Sequence, residues 1–343
     1  MENKFLNINK EKKIIKPYLN FDKNKLNYLA INNNALGLIN KNLSKLNNLN
    51  WEYLTNNKNP KVFYILSKNL DKLTLNCWYH LCFNSNDNIV SLLINNIDKL
   101  NTICWDVLCL NQNLKIIDII SNELKKSFNI TYLQNLCKNK NAIHVIREYK
   151  HKIDDICITK LCFNENAFDL LKEIIDFNNF NSIKPIYIHN LCLNRNKDII
   201  QYLFDNFNNL NRHLFINICL NPAATSLIEK YYDENESWNN DTLCLNYLCY
   251  NENPAIIPII VKNLQYLTEF SDLCINENAI DVINNNIKKI SMQGWINLSK
   301  NINAIKIIKT NFNCIKYCFN NFNFINNLLS NPSIFRTKKL FII

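Results

Sequence analysis

Two stretches decide the fold: Trp105–Ile120, WDVLCLNQNLKIIDII, and Trp295–Ile308, WINLSKNINAIKII. Aligned on Leu108 and Leu298, they share Trp three residues before the anchor and a small residue, Cys109 or Ser299, one after it. Asn follows at +3 (Asn111, Asn301) and again at +5 (Asn113, Asn303). Working outward, the pattern recurs on anchors Leu29, Leu54, Leu81, Leu108, Leu136, Leu161, Leu191, Ile218, Leu248, Leu273, Leu298 and Tyr317. Position −3 is always apolar, from Leu26 and Trp51 to Trp295 and Cys314, and position +1 is always small, from Ala30 to Cys318. Position +3 is Asn in every unit, from Asn32 to Asn320. A period of about 25–30 residues is the signature of a repeat architecture, in which stacked neighbours bury what no single unit can.

Apolar residues at −3, 0 and +1 make one stripe of a helix of roughly two turns. Asn tolerates the left-handed conformation that ends helices and is a preferred N-cap, so Asn-x-Asn is expected to stop one helix and start the next. Pro222 and Pro332 follow the first Asn, and Pro60 and Pro254 the second, where a missing N–H in a helix's first turn is harmless. The second helix shows helical spacing in Ile89, Leu92 and Leu93, in Ile116, Ile119 and Ile120, and in Ile305 and Ile308. Pro258 falls inside its second helix and predicts a kink. The expected fold is all-α: an α-solenoid of about eleven to twelve helix–turn–helix repeats over 26–335, with a basic N-terminal cap over 1–25 and a tail over 336–343. The rival is a leucine-rich-repeat α/β solenoid, whose L-x-x-L-x-L-x-x-N-x-L pattern fits Ile158, Leu161, Phe163, Asn166 and Phe168. The uniformly small +1 residue and the Trp at −3 favour helices.

Composition bounds the function. Of 343 residues 69 are Asn, placed at fixed positions among apolar residues, which argues against a disordered low-complexity chain. An AT-biased genome is the simplest explanation of so much Asn, Ile and Lys. The net charge of +10 divides unevenly: residues 1–25 carry +4, residues 282–343 carry +9 without one Asp or Glu, and the middle carries −3. No secretory h-region and no run of 18 apolar residues is visible, so neither export nor a membrane span is expected. The 14 Cys are then expected to be reduced, in an intracellular, cytoplasm-like compartment.

The unit resembles the short-repeat proteins of giant cytoplasmic DNA viruses, whose units read roughly W-x-x-L-S-x-N-P-x-A-I. Trp295–Ile308 and Leu329–Phe335 (LSNPSIF) are the clearest copies, and the likeness extends from Leu26 to Phe335. Cys replaces Ser in most units and Pro survives in few. The resemblance implies an architecture and a host-cytoplasmic setting, with packaging in a virion as the alternative, and no activity.

No catalytic, cofactor-binding or metal site is expected. There is no C-x2-C and no H-E-x-x-H, and with Gly37 and Gly294 as the only glycines there is no phosphate-cradling loop. The Cys at +1 and at −4 (Cys77, Cys104, Cys157, Cys244) read as small core residues, as do Trp51, Trp78, Trp105 and Trp295. The five His occupy unrelated positions in their units and read as surface or boundary residues. The +4 loop position varies, which makes Lys58, Gln112, Lys140, Glu165, Arg195, Glu252 and Glu277 candidates for partner binding. Lys288, Lys289, Lys306 and Lys309 join them from the acid-free end. The expectation is a monomeric, non-enzymatic scaffold for protein partners, without a cofactor. A nucleic-acid-binding solenoid using the basic C-terminal end, or a virion structural component, is the alternative.

Overall fold

A computed structural model describes residues 23–234, 242–311 and 315–335. The N-terminal cap and the C-terminal tail expected from sequence therefore lie outside the described residues, apart from 23–25 at the start of the first helix, as does Cys314. The described chain is all-helical, with no strand. That overturns the leucine-rich-repeat alternative: the small +1 residue, which a leucine-rich strand would extend, sits in helical backbone, as at Cys162 with φ −59° and ψ −22°.

Most repeats have three pieces, one more than the pattern predicts; in the Trp105 repeat a longer second helix, Leu114–Lys126, replaces the last two. An anchor helix such as Asp155–Leu161 is followed by the Asn-x-Asn turn, then by a second helix such as Phe168–Lys172, then by a single 3-10 turn such as Phe180–Ser182. Helices this short are unstable alone, so their existence depends on capping and stacking. The residue seven before the anchor starts the first helix. Thr74, Asn101, Asp154, Asn211 and Ser291 each accept the backbone N–H three residues on. In several repeats the second helix is finished by another Asn, whose side-chain amide returns to a carbonyl four residues back. Asn69 donates to Ile65, Asn96 to Leu92 and Asn286 to Val282.

Packing divides the chain into two compact units: Met1–Asn84 with Ile280–Ile343, and Ser85–Ala279. In the second unit, the anchor helices Thr102–Leu108, Ile130–Leu136, Asp155–Leu161, Pro185–Leu191, Arg212–Leu220 and Thr242–Leu248 each pack on the next. In the first unit, five anchor helices stack in the order Leu75–Leu81, Asn48–Thr55, Lys23–Ile31, Phe322–Ser330, Met292–Leu298. The chain's first repeat thus lies against its last. The Tyr28 ring sits 6.4 Å from Tyr53 on one side and 6.4 Å from Phe322 on the other.

Three sequence expectations are corrected. The last unit is anchored on Leu328, which is buried, and not on Tyr317, which is 48% exposed. Residues Lys316–Asn320 form a 3-10 turn, and Asn321 begins the true anchor helix as its N-cap. Pro258 does not kink a helix: a 3-10 turn over Pro254–Ile256 delays the α-helix to Ile257–Lys262, so Pro258 lies in its first turn. Finally, no non-Gly residue among the described ones has positive φ, so Asn does not end the anchor helix through a left-handed conformation.

Candidate interaction surfaces

What the +3 Asn does instead is clamp neighbouring repeats. The Asn164 side-chain amide donates to the carbonyls of Cys137 (2.9 Å) and Asn139 (3.1 Å) in the preceding repeat. Its Oδ1 accepts the Asn166 backbone N–H at 3.0 Å. Asn194, Asn221, Asn251 and Asn276 repeat the arrangement along the second unit. In the first unit Asn57 clamps onto Ala30 and Asn32, and Asn331 onto Ser299 and Asn301. Asn32 closes on the carbonyls of Leu329 (2.8 Å) and Asn331 (3.0 Å), so chain ends stack through the same bonds that sequence neighbours use. These Asn side chains are buried, where a satisfied amide is stabilising and an orphaned one costly.

The +5 Asn forms a second rail. The Asn141 and Asn166 side-chain amides donate to the carbonyls of Gln112 and Lys140, the preceding repeat's +4 residues. Asn59, Asn86, Asn113 and Asn196 also accept a backbone N–H from the helix they begin. The abundance of Asn therefore has a structural use at four positions of the repeat, whatever the codon bias.

The small +1 residue follows from the clamp. Its carbonyl must meet the next repeat's Asn, so its side chain is pressed between stacked helices; Cys109, Cys162 and Cys192 are fully buried. All thirteen described Cys are buried and unbridged. Burial pushes the thiols of Cys162, Cys192, Cys249 and Cys274 up to about 12, which removes them as nucleophiles near neutral pH. Of the four aligned tryptophans, Trp51, Trp78 and Trp295 are core. Trp105 is only half-buried and stacks on Tyr132, ring centroids 6.5 Å apart, which corrects its assignment to the core.

Several of the candidate loop-edge residues of the second unit are engaged with each other. Lys140 pairs with Glu165 at 3.7 Å, and Arg195 reaches past one whole repeat to Glu252 at 3.3 Å. Gln112 and Glu277 are exposed in the second unit, and Lys58 is exposed in the first. Lys288 and Lys289 lie in the 3-10 turn Ile287–Lys289, and Lys306 and Lys309 on the helix Ile305–Thr310, all exposed. The structure brings the loop-edge residues of the second unit together and leaves the C-terminal lysines as a separate group in the first.

Two surfaces escaped the sequence reading. On the second unit, the anchor helices expose Ile103, Ile156, Ile186 and Leu243 at −5 and Phe163 and Tyr250 at +2. Positions seven apart are two helical turns apart, so each pair lies on one face. Its sequence signal is an apolar residue recurring at −5, outside the −3, 0, +1 stripe that forms the core. On the first unit, the second helices of the first two repeats, Leu36–Asn40 and Val62–Leu66, flank a groove of about 370 Å³. Its walls include Gly37, Asn40, Lys61, Tyr64, Lys68 and Asn69.

No helix among the described residues is long and apolar enough to cross a membrane. No protein family, no curated protein and no solved structure matches the chain.

Proposed function

We propose that this chain is a non-enzymatic α-solenoid scaffold of twelve Asn-clamped repeats that holds a protein partner against the anchor-helix face of its second unit. The observation that carries the reading is the set of exposed apolar side chains, Ile103, Ile156, Phe163, Ile186, Leu243 and Tyr250, on four of the six stacked anchor helices; exposed Thr131 and His213 hold the −5 position on the other two. Contiguous exposed apolar side chains on a folded surface mark interaction sites, and repeat stacks present them as extended binding faces. The loop edge is a weaker candidate, because Lys140, Glu165, Arg195 and Glu252 neutralise one another. The viral short-repeat resemblance bears on the architecture of this reading and implies little about activity. The test is affinity purification with nuclease treatment and mass spectrometry, comparing the native chain with an Ile156→Glu, Ile186→Glu variant. A partner retained by the first and lost by the second supports the proposal. The same set of proteins on both, with the variant's circular dichroism unchanged, rejects this face.

A second reading, nucleic-acid binding, is favoured by the first unit alone. Its described residues carry fourteen Lys against Glu52, Asp71 and Asp281, whereas those of the second unit carry more carboxylates than cations.

A further inference from the structure

We infer that the groove between the first two repeats is a single-stranded nucleic-acid site, in which Tyr64 stacks on a base while Lys61 and Lys68 hold the flanking phosphates. The inference rests on the nucleic-acid reading of the first unit and gives it a location.

Three observations converge on this groove. Tyr64 stands 63% exposed, an unusual position for a large ring on a helix whose Val62, Ile65 and Leu66 are all buried. It is steadied by Phe63, edge-on at 5.6 Å. Lys61 caps the start of this helix, Lys68 follows its end, and both line the groove with Tyr64. Both lysines are exposed, and neither has an ion-pair partner among the described residues. The nearest acid in sequence, Asp71, is occupied by Lys72 at 2.9 Å. The third observation is the opposite wall. Gly37 leaves it open: a Cβ there would meet nothing within 4 Å. Asn40 and Asn69 add polar atoms at the rim, and Lys41 and Lys45, both exposed, follow directly on the chain from the Gly37 helix.

An aromatic platform between cations is how sequence-tolerant single-strand binders work, because every base has a π-face and every linkage a phosphate. A duplex hides its bases and could use only the lysines. An acidic protein could use the lysines too, but it offers nothing that requires the exposed ring.

The experiment is fluorescence anisotropy of short labelled single-stranded DNA and RNA with the full chain, across a salt series. Tyr64→Ala should weaken binding about 10-fold or more while leaving the salt dependence unchanged. Lys61→Ala with Lys68→Ala should lower the slope of log K against log salt by about 1.4, two contacts at roughly 0.7 each. All three side chains are exposed, and unchanged circular dichroism and melting would show the variants folded. Absence of binding at low salt overturns both the nucleic-acid reading and the groove. Binding that persists through both variants, or that falls equally with Lys288→Ala and Lys289→Ala, overturns the groove alone. Displacement of the oligonucleotide by poly-glutamate at equal charge overturns the nucleic-acid assignment in favour of an acidic protein.

Discussion

Replacing Asn164 with Ala isolates the clamp between two repeats. The native side chain is buried and makes three bonds, to the Cys137 and Asn139 carbonyls and from the Asn166 N–H. Asn139 keeps a second partner, the Ala142 N–H at 3.0 Å, so its carbonyl is not orphaned by the loss. The Cys137 carbonyl and the Asn166 N–H have no other bond of this kind to fall back on. Two backbone groups left without partners, at about 1–3 kcal/mol each, put the cost at roughly 2–6 kcal/mol. Urea unfolding monitored by circular dichroism measures it. The control is Asn88→Ala, an exposed Asn on the helix Asp87–Ile94, expected to stay within about 0.5 kcal/mol of the native chain. Asn164→Asp adds a second arm. It keeps the acceptor and removes both donors, and it points a buried carboxylate at two carbonyls, which raises its folded pKa. A raised carboxyl pKa means the folded state binds the proton more tightly, so the variant's deficit should shrink as pH falls toward 4. A cost for Asn164→Ala no greater than that of Asn88→Ala would refute the reasoning.

The buried thiols give an alkaline prediction. Cys162, Cys192, Cys249 and Cys274 are raised from an ordinary 9.0 to about 12, so the unfolded chain loses these protons first and stability falls as pH rises from about 9 toward 12. At about 1.4 kcal/mol per thiol per pH unit, the four together cost about 5 kcal/mol by pH 10, and a flat urea midpoint from pH 8 to pH 10 would contradict it. Asp154 acts at the other end of the scale. Partial burial alone would raise its pKa, but the Cys157 N–H and the Gln134 amide outweigh that and hold it below the usual carboxylate range. Its capping contribution is therefore present above about pH 4 and lost as pH falls through the folded value; Asp154→Ala should cost about 1 kcal/mol at pH 7 and less at pH 2. Among the tryptophans, Trp78→Ala should cost roughly 3–5 kcal/mol, because Trp78 is buried, and half-buried Trp105→Ala clearly less; equal melting temperatures for the two variants would count against the corrected assignment.

The repeat was legible because its core follows helical spacing: the anchor, the −3 residue and the small +1 residue hold their positions in most units, the exceptions being half-buried Trp105 at −3 and Leu329 at +1 of the last unit. The clamp was only half legible. Asn at +3 is conspicuous, but its partners are backbone carbonyls 25–32 residues away, and a carbonyl has no sequence identity. The 3-10 turn was missed because Leu70-Asp71-Lys72-Leu73 and its counterparts are too short to show a period. The last unit was misplaced because Tyr317, Cys318 and Asn320 imitate the anchor, small residue and Asn. What separates the true unit is the Asn321 cap seven residues before Leu328, matching Thr74 before Leu81 and Asp154 before Leu161. The groove could not be read at all, since Gly37 and Tyr64 are brought together only by stacking of two repeats.

The central claim is that one Asn clamp joins stacked repeats within each unit, and joins the first repeat to the last by the same bonds. The direct measurement is intramolecular cross-linking between Ile31→Cys and Ser330→Cys, at +2 and +2 of those repeats, with a bismaleimide of about 10 Å reach, matched to helices packed about 8–10 Å apart. The thirteen described thiols are buried, and Cys314→Ser in the same background leaves the introduced pair as the reactive sites. Stacking through Asn32 predicts a cross-link in the monomer as efficient as that of the sequence-adjacent pair Ile31→Cys and Asn56→Cys, and its loss when Asn32→Ala and Asn34→Ala are added. A cross-link for the adjacent pair and none for Ile31 with Ser330 would contradict the account.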